Sequence, residues 1–323
     1  MIYSRIEGTG RYLPERILTN ADLEKTIDTT DEWIKTRTGV EQRHIASDDE
    51  NTSDLCLNAA KQAMEAAGIT ADEIDLIVIG TTSPDLIFPN IATIVQEGLG
   101  IHGCPAFSIE AACTGFIYAL ATTDKFIRTG STKCALVIGA EIISRLVDWT
   151  DRTTCVLFGD GAGAVIVKPS KEEGIISTHL GADGQYRDLL YYPVGVSHNL
   201  EKAGIVEEAR IIMKGNEVFK VAVKTLGNVA REALEANGID KNDLDWLIPH
   251  QANLRIIQAT AKRLGLPMEK VIQTVQFHGN TSAASVPLAL DVAVRDGRIK
   301  RGQLLLLEGF GGGFTWGSIL LRY

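Results

Sequence analysis

The sequence of 323 residues contains few cysteines and no long hydrophobic run, and each of these absences excludes a class of protein. The cysteines are Cys56, Cys104, Cys113, Cys134 and Cys155. None belongs to a C-x-x-C pair, which argues against a disulfide framework or a zinc site and favours a reducing compartment. His102 beside Cys104 has no further ligand nearby, so we expect no metal there.

Membrane and export signals are also lacking. No apolar stretch approaches the roughly 20 residues that are needed to span a bilayer. The N-terminal segment MIYSRIEGTGRYLPE lacks the apolar core of a secretion signal. We therefore expect a cytoplasmic protein that does not associate with membranes.

Basic residues are scarce relative to acidic ones. Lys and Arg number 32 against 41 Asp and Glu, which gives a formal net charge of −9. An acidic chain without a Lys/Arg-rich block is not expected to bind nucleic acid. The composition, 45% hydrophobic and 23% charged, is that of a globular protein long enough for two domain-sized cores.

The chain contains an internal repeat with an offset of 170 residues. AKQAMEAAGITADEIDLIVI (Ala60–Ile79) aligns without a gap on AREALEANGIDKNDLDWLIP (Ala230–Pro249), with seven identities. The same offset brings CALVIGAE (Cys134–Glu141) onto LLLLEGFG (Leu304–Gly311) and Phe107 onto Phe277. Shared composition explains one such match, but three separated matches at one offset indicate a duplicated unit.

Each copy predicts an amphipathic helix that ends at a left-handed glycine, Gly68 or Gly238, followed by an acidic turn and an apolar strand. Apolar strands that alternate with helices predict parallel sheets covered on both faces. We therefore expect an α/β fold of two similar halves, residues 1–170 and 171–323, related by a pseudo-twofold axis. GDGAGA precedes a strand instead of following one, so it is not a dinucleotide fingerprint.

Cys113 in EAACTGF is the first candidate functional residue. It lies where small residues meet the start of a predicted helix, a position that stabilises a thiolate and leaves room for a substrate. The alternative is a buried cysteine that only packs in the core.

His250 in IPHQAN and Asn280 in HGNTSAAS are the second and third candidates. The offset aligns them with Gly80 and Glu110, at the carboxyl ends of strands, where α/β sheets bind ligands. A pseudo-twofold axis would bring both to the cleft of Cys113. Alternatively, either residue caps a strand or a helix, and His278 competes as a base or ligand.

Seven segments together resemble one family: DTTDEWIKTRTG, EAACTGF, FGDGAGA, MKGNEVFK, PHQANLRI, HGNTSAASVP and GFGGGFTWG. In this order they are similar to β-ketoacyl-[acyl-carrier-protein] synthase III, the initiating condensing enzyme of bacterial type II fatty acid synthesis. The resemblance runs from the first strand to the last residue. It implies the thiolase fold, with two halves in five α-β-α-β-α layers, and a homodimer.

The resemblance also implies the reaction. Cys113 would take an acyl group, expected to be acetyl, from acyl-CoA. Its own N–H and that of Gly312 would form the oxyanion hole. A thiolate at a helix start would need no strong adjacent base. His250 and Asn280 would donate hydrogen bonds to the enolate formed when malonyl-acyl carrier protein loses CO2. No metal or cofactor is implied, since acyl-CoA is a substrate.

Binding residues follow from the same resemblance. Those matched to CoA contacts are Trp33, Arg37, Arg152, Asn216 and Asn253. Phe88 matches a position where the partner subunit closes the acyl pocket, and a phenylalanine there favours acetyl-CoA. The acidic carrier protein would dock on Lys220, Arg255, Lys262 and Arg263. Gly309 departs from the family, where alanine is common.

Two alternatives remain open. A polyketide or quinolone condensing enzyme of the same fold also uses Cys, His and Asn, but usually lacks TDEWIKTRTG. A non-catalytic thiolase-fold scaffold subunit would have lost Cys113, His250 or Asn280, and all three are present.

Overall fold

The structure, a computed structural model, describes residues 2–195, 197 and 209–323. The strands in this part of the chain are β1 Tyr3–Tyr12, β2 Arg16–Thr19, β3 Gln42–Ile45, β4 Leu76–Gly80, β5 Ala106–Ile109, β6 Ala135–Glu141, β7 Gly161–Ser170, β8 Ile175–Ala182, β9 Leu190–Tyr191, β10 Ile212–Met213, β11 Trp246–Pro249, β12 Leu304–Gly311 and β13 Thr315–Arg322. The helices are α1 Asn20–Leu23, α2 Asp31–Thr38, α3 Thr52–Ala67, α4 Ile91–Gly98, α5 Gly115–Arg128, α6 Gly215–Ala236, α7 Leu254–Leu264, α8 Val275–His278 and α9 Ser285–Arg295.

Two sheets of matching topology form the framework. The first has the strand order β1-β7-β6-β4-β5, and the second has the order β8-β13-β12-β11. In the first sheet β4 is parallel to β5 and β6, and β7 is antiparallel to both of its neighbours. In the second sheet β11 is parallel to β12, whereas β13 is antiparallel to β12 and β8. The sheets are therefore mixed, which corrects the expectation of purely parallel sheets.

Alternate residues of the central strands enter different cores, and this produces five layers. Val78 of β4 and Leu305 of β12 pack in the core that also contains α5 and α9, between the two sheets. Ile77 of β4 faces α3 and α4 on the outer side of the first sheet. Leu306 of β12 faces α6 and α7 on the outer side of the second. Both sheets are thus covered on both faces, as the uninterrupted apolar strands predict.

The 170-residue repeat is present in the backbone. The 3-10 turns Ala71–Glu73 and Lys241–Asp243 follow α3 and α6 and precede the equivalent strands β4 and β11. Gly68 and Gly238 adopt φ of 65° and 63°, the left-handed conformation expected after each helix. The prediction of a duplicated helix-turn-strand unit is confirmed.

One predicted correspondence is wrong. Phe107 lies in β5, whereas Phe277 lies in the four-residue helix α8. At the edge of the second sheet, the described chain forms a single parallel bridge between Leu247 and Val271 in place of a fifth strand. The division of the chain at residues 170 and 171 falls between β7 and β8, and the assignment of these two halves as domains stays a prediction.

The two halves meet through their equivalent 3-10 turns, Ala112–Thr114 before α5 and Ser282–Ala284 before α9. Strands of each half contact the turn of the other. A Cβ on Gly139 of β6 would lie 2.3 Å from the Ala283 carbonyl oxygen. A Cβ on Gly311 of β12 would lie 2.7 Å from the Cys113 nitrogen. Glycine at these two strand ends lets the turns approach each other across the interface.

Candidate active site

Cys113 lies in the turn Ala112–Thr114, two residues before α5 begins at Gly115. The turn is held by Ala112, whose φ of 47° is unusual for a residue with a side chain. Cys113 is 9% exposed, so only a small part of it reaches the surface of a cavity. The sequence prediction of a cysteine at a helix start is confirmed.

The buried position of Cys113 opposes the expected thiolate. Burial is the main cause that raises the pKa of the thiol to about 12, and the Glu141 carboxylate adds to the rise. A helix N-terminus is worth up to about 2 kcal/mol, which lowers a pKa by about 1.5. Burial therefore opposes the helix field and favours the protonated thiol.

His250 follows β11 directly, and its backbone N–H donates to the Glu308 backbone carbonyl oxygen at 2.8 Å. Burial lowers the pKa of the imidazole to about 3, so the ring is neutral. Its Nδ1 lies 2.6 Å from Ser285 Oγ, which itself accepts the Gln251 N–H at 3.3 Å. The Ser285 hydroxyl proton then points to Nδ1, which leaves the Nε2–H tautomer with its donor free.

Asn280 is fixed by three hydrogen bonds. Its backbone N–H donates to Leu157 O at 2.8 Å, and its carbonyl oxygen accepts from Gly159 N at 3.1 Å. Its side-chain Oδ1 accepts the Ser282 N–H at 2.9 Å. Because the amide oxygen is occupied in this way, the Nδ2 group is the free donor of this side chain.

Cys113, His250 and Asn280 all line one cavity of about 290 Å³ between the halves of the chain. Apolar side chains, including Leu190, Leu226 and Phe310, form much of the remaining wall. All five residues matched to CoA contacts also line it: Trp33, Arg37, Arg152, Asn216 and Asn253. The cavity thus has a buried reactive end and a mouth rich in arginine.

At the mouth, both arginines lie over the indole of Trp33. The guanidinium carbon is 5.2 Å from the ring centroid for Arg152 and 5.9 Å for Arg37. A base stacked between an indole and a guanidinium requires a separation of about 7 Å. Arg152 would have to lie about 2 Å further from the indole to form the expected sandwich, and here its guanidinium donates a 2.7 Å hydrogen bond to Asp28 O.

The two asparagines differ in how they are held. Asn253 caps α7, because its Oδ1 accepts the Arg255 N–H at 2.8 Å, and its Nδ2 donates to Arg37 O at 3.1 Å. One N–H of that amide stays free for a ligand. Asn216 is exposed in the first turn of α6.

Other residues singled out in the sequence lie outside the cavity wall. Phe88 is 84% exposed and, together with Leu86 and Ile87, forms an exposed apolar loop. Gly312 follows β12 beside Ala112: a Cβ on it would lie 3.7 Å from the Ala112 Cβ. Lys220, Lys262 and Arg263 are exposed on α6 and α7, as is Arg255, which also reaches the cavity.

Sequence reasoning missed three polar residues around the candidate site. Ser282 Oγ lies 3.3 Å from Cys113 Sγ and 3.2 Å from Glu141 Oε1, and Ser285 contacts His250. Both serines stand in the quoted HGNTSAAS, and Ser282 aligns with Ala112 at the 170-residue offset. That alignment was the available signal for Ser282. No comparable signal in the sequence pointed to Glu141, which lies at the end of an apolar strand.

No group of three or more His, Cys, Asp or Glu residues suited to a metal occurs within residues 2–195, 197 and 209–323. None of the helices described there is both long and apolar enough to cross a bilayer.

Two similar α/β halves that share a cavity with a cysteine, a histidine and an asparagine define a condensing enzyme of the thiolase fold. Residues 107–184 match the family described as 3-Oxoacyl-[acyl-carrier-protein (ACP)] synthase III, and residues 234–323 match its C-terminal domain. The chain belongs to this family of acyl-transferring enzymes, which performs the initiating condensation of fatty acid synthesis.

Full-length relatives support the assignment. The chain is 65% identical to "Beta-ketoacyl-[acyl-carrier-protein] synthase III" of Xanthomonas campestris pv. campestris, over all of the chain and 99% of the relative. The crystal structure of 3-oxoacyl-[acyl-carrier-protein] synthase III from Aquifex aeolicus is similar at a TM-score of 0.93 and 48% identity, covering 99% and 100% of the two chains. The priming β-ketosynthase of the R1128 polyketide pathway is similar at a TM-score of 0.94 and 37% identity, covering 99% and 96%.

Proposed function

We propose that this enzyme transfers an acetyl group from acetyl-CoA to Cys113 and condenses it with malonyl-acyl carrier protein. The products are 3-oxobutanoyl-acyl carrier protein, CoA and CO2. The observation that supports the site assignment is the common cavity, which Cys113, His250 and Asn280 line together with all five CoA-matched residues.

In the first half-reaction, the Cys113 sulfur attacks the thioester carbonyl and expels CoA thiolate. The negative charge on the carbonyl oxygen is stabilised by the backbone N–H groups of Cys113 and Gly312. Trp33 and Arg152 hold the adenine ring, Arg37 pairs with the phosphates, and Asn216 and Asn253 contact the pantetheine arm.

In the second half-reaction, the malonyl group loses CO2 and becomes an enolate that attacks the acyl-Cys113 thioester. The free donors of His250 Nε2 and Asn280 Nδ2 stabilise the enolate oxygen. Because the pKa of His250 is lowered to about 3, the imidazole stays a neutral donor at physiological pH and does not remove a proton. Decarboxylation needs no base, since the departing CO2 leaves its electron pair on carbon.

We propose a homodimer in which Phe88 of each chain closes the acyl pocket of the partner and limits it to acetyl. The exposure of Leu86, Ile87 and Phe88 supports this, because a contiguous apolar loop is commonly covered by another surface. Size-exclusion chromatography with light scattering tests the assembly. A monomer at micromolar concentration contradicts it.

The exposed cations Lys220, Arg255, Lys262 and Arg263 form the proposed dock for the acidic carrier protein. None of them forms an ion pair within the described chain, so their charges are available to a partner. We further propose that the reaction takes place in the cytoplasm and needs neither metal nor cofactor.

Acyl transfer to Cys113 is tested by incubating the chain with acetyl-CoA alone, followed by mass spectrometry of the intact protein and of its Cys113 peptide. We expect one acetyl group, carried by Cys113 and absent from Cys113→Ala. Labelling that persists in Cys113→Ala contradicts the assignment.

A further inference from the structure

The hydroxyl of Ser282 bridges the candidate nucleophile and a buried carboxylate. Ser282 Oγ lies 3.3 Å from Cys113 Sγ and 3.2 Å from Glu141 Oε1. A hydroxyl has one proton, so it donates to one of these neighbours at a time and can accept from the thiol while it donates to the carboxylate. Sulfur, hydroxyl and carboxylate therefore form a continuous hydrogen-bonded path.

Glu141 is built into this position. It ends β6, is fully buried, and accepts hydrogen bonds from Thr81 Oγ1 at 3.3 Å, Thr82 N at 3.2 Å and Ser83 Oγ at 2.5 Å. Within the described chain, no Lys, Arg or His forms an ion pair with it. The carboxylate is thus held by neutral donors, which leave it able to accept a proton.

The acylation step needs such an acceptor. Burial raises the pKa of the Cys113 thiol, which favours its protonated form, and the sulfur must lose its proton to form the acyl thioester. His250 is poorly suited, because its Nδ1 is occupied by Ser285 and its Nε2 carries a proton. Ser282 is the polar side chain that contacts the sulfur in the described structure, and beyond it lies Glu141.

We propose that Ser282 relays the thiol proton of Cys113 to the Glu141 carboxylate as acyl transfer occurs, an inference that rests on the proposed role of Cys113. The thiol proton passes to Ser282 Oγ while the Ser282 hydroxyl proton passes to Glu141. The sulfur electron pair forms the bond to the acyl carbon. The carbon–sulfur bond to CoA breaks, and CoA thiolate takes a proton from water.

The same path returns the proton at the end of the cycle. When the malonyl-derived enolate attacks acyl-Cys113, the tetrahedral intermediate expels the Cys113 thiolate. Glu141 then gives its proton back through Ser282, which restores the resting thiol. One proton from water is consumed overall, and it leaves on CoA, so the two half-reactions balance.

Burial raises the pKa of Glu141 to about 7, which places its titration in the working range of the enzyme. The titratable groups that face it are Cys113 and Cys56 of α3, and burial raises the pKa of both thiols. Asp85, which also raises the pKa of Cys56, accepts hydrogen bonds from the Ser53 N–H and hydroxyl. The rate of acyl transfer should therefore rise with pH as Glu141 loses its proton near pH 7.

The experiment measures the rate of CoA release on mixing the full-length enzyme with acetyl-CoA, at pH values from about 6 to 9. Glu141→Gln keeps the shape but replaces one accepting oxygen with an NH2 group and cannot accept the proton, and Ser282→Ala removes the relay. Each should slow acylation about a hundredfold near pH 7 and abolish the rise centred there. The double variant should be no slower than either single variant, because both changes interrupt one path.

The pH profile of Thr82→Val distinguishes a proton-accepting role of Glu141 from a purely structural role. Loss of the Thr82 hydroxyl bond raises the pKa of Glu141, so the rise in rate should move to higher pH without disappearing. Saturable CoA binding and thermal unfolding establish that each variant is folded.

Normal rates and an unchanged pH profile in Glu141→Gln and Ser282→Ala would overturn the relay alone. Absence of acetyl-Cys113 from the wild-type enzyme would instead overturn the proposed function. Alkylation of Cys113 by iodoacetamide, which requires no CoA site, should show the same loss of reactivity near neutral pH in both variants.

Discussion

Ala112 and Ser282 are separated by 170 residues and share a left-handed backbone, with φ of 47° and 50°. Side-chain-bearing residues adopt this conformation at a cost of about 1–3 kcal/mol, and the surrounding structure must enforce it. Each residue begins a turn that packs against the strands of the other half. The duplicated conformation thus places Cys113 and the Ser282 hydroxyl side by side.

The glycines under these turns provide a matched pair of variants. A Cβ on Gly139 would lie 2.3 Å from the Ala283 backbone oxygen. Gly309 is the equivalent of Gly139 at the 170-residue offset, and the atom nearest to a Cβ on Gly309 is Ile117 Cγ1, at 3.1 Å. We expect Gly139→Ala to displace the 282–284 turn and reduce acyl transfer by about a hundredfold. Gly309→Ala should have little effect. CoA release measured for both variants checks this, and equal losses would contradict it.

His250 and Asn280 should matter for decarboxylation more than for acyl transfer. His250→Ala and Asn280→Ala each remove one donor to the enolate, which corresponds to a loss of about a hundredfold or more. CO2 release from malonyl-carrier protein should fall by this factor, while acetyl labelling of Cys113 persists. Equal damage to both half-reactions would contradict the division of roles.

Ser285→Ala tests how the tautomer of His250 affects the reaction, because the variant leaves the imidazole itself in place. Without the Ser285 hydroxyl at 2.6 Å, the Nδ1 atom has no fixed acceptor role and the Nε2–H tautomer is no longer favoured. Decarboxylation should slow while acyl transfer is kept. The ring-nitrogen chemical shifts of His250 measured by NMR should show the change of tautomer, and an unchanged tautomer would contradict the argument.

Trp33 should bind the adenine ring by stacking. Trp33→Ala should weaken CoA binding by roughly 1–3 kcal/mol, whereas Trp33→Phe keeps an aromatic face and should lose less. Isothermal titration with CoA measures both. Dephosphorylated acetyl-pantetheine, which lacks the adenine, should bind the wild type and Trp33→Ala equally; a difference there would mean that Trp33 acts elsewhere.

Glu308 should make stability depend on pH. It is fully buried, its carboxyl oxygens have no hydrogen-bond partner among the described residues, and burial raises its pKa from 4.5 to about 8. The folded state therefore favours the protonated acid, and stability present below pH 4.5 is lost as pH rises toward 8. Glu308→Gln should remove this loss, measured as the difference in free energy of unfolding between about pH 5 and pH 8. An identical slope in the variant would contradict it.

Local sequence patterns were sufficient to predict those features that depend on interactions between neighbouring residues of the chain. The helix-turn-strand repeat, the left-handed Gly68 and Gly238 and the position of Cys113 before a helix all depend on neighbours in the chain. The mixed sheets and the helical setting of Phe277 did not follow, because strand direction and edge pairing depend on distant partners. The rise in the pKa of Cys113 did not follow either, since burial is a property of the packed structure.

By itself, the sequence determined two copies of an α/β unit and predicted which residues of each copy carry chemistry. Only the tertiary structure decided that burial raises the pKa of the thiol, that Ser285 selects the histidine tautomer, and that Ser282 joins Cys113 to Glu141. The physical reason is the low dielectric between the halves. There the ionisation of each group depends on atoms that lie tens to hundreds of residues away along the chain.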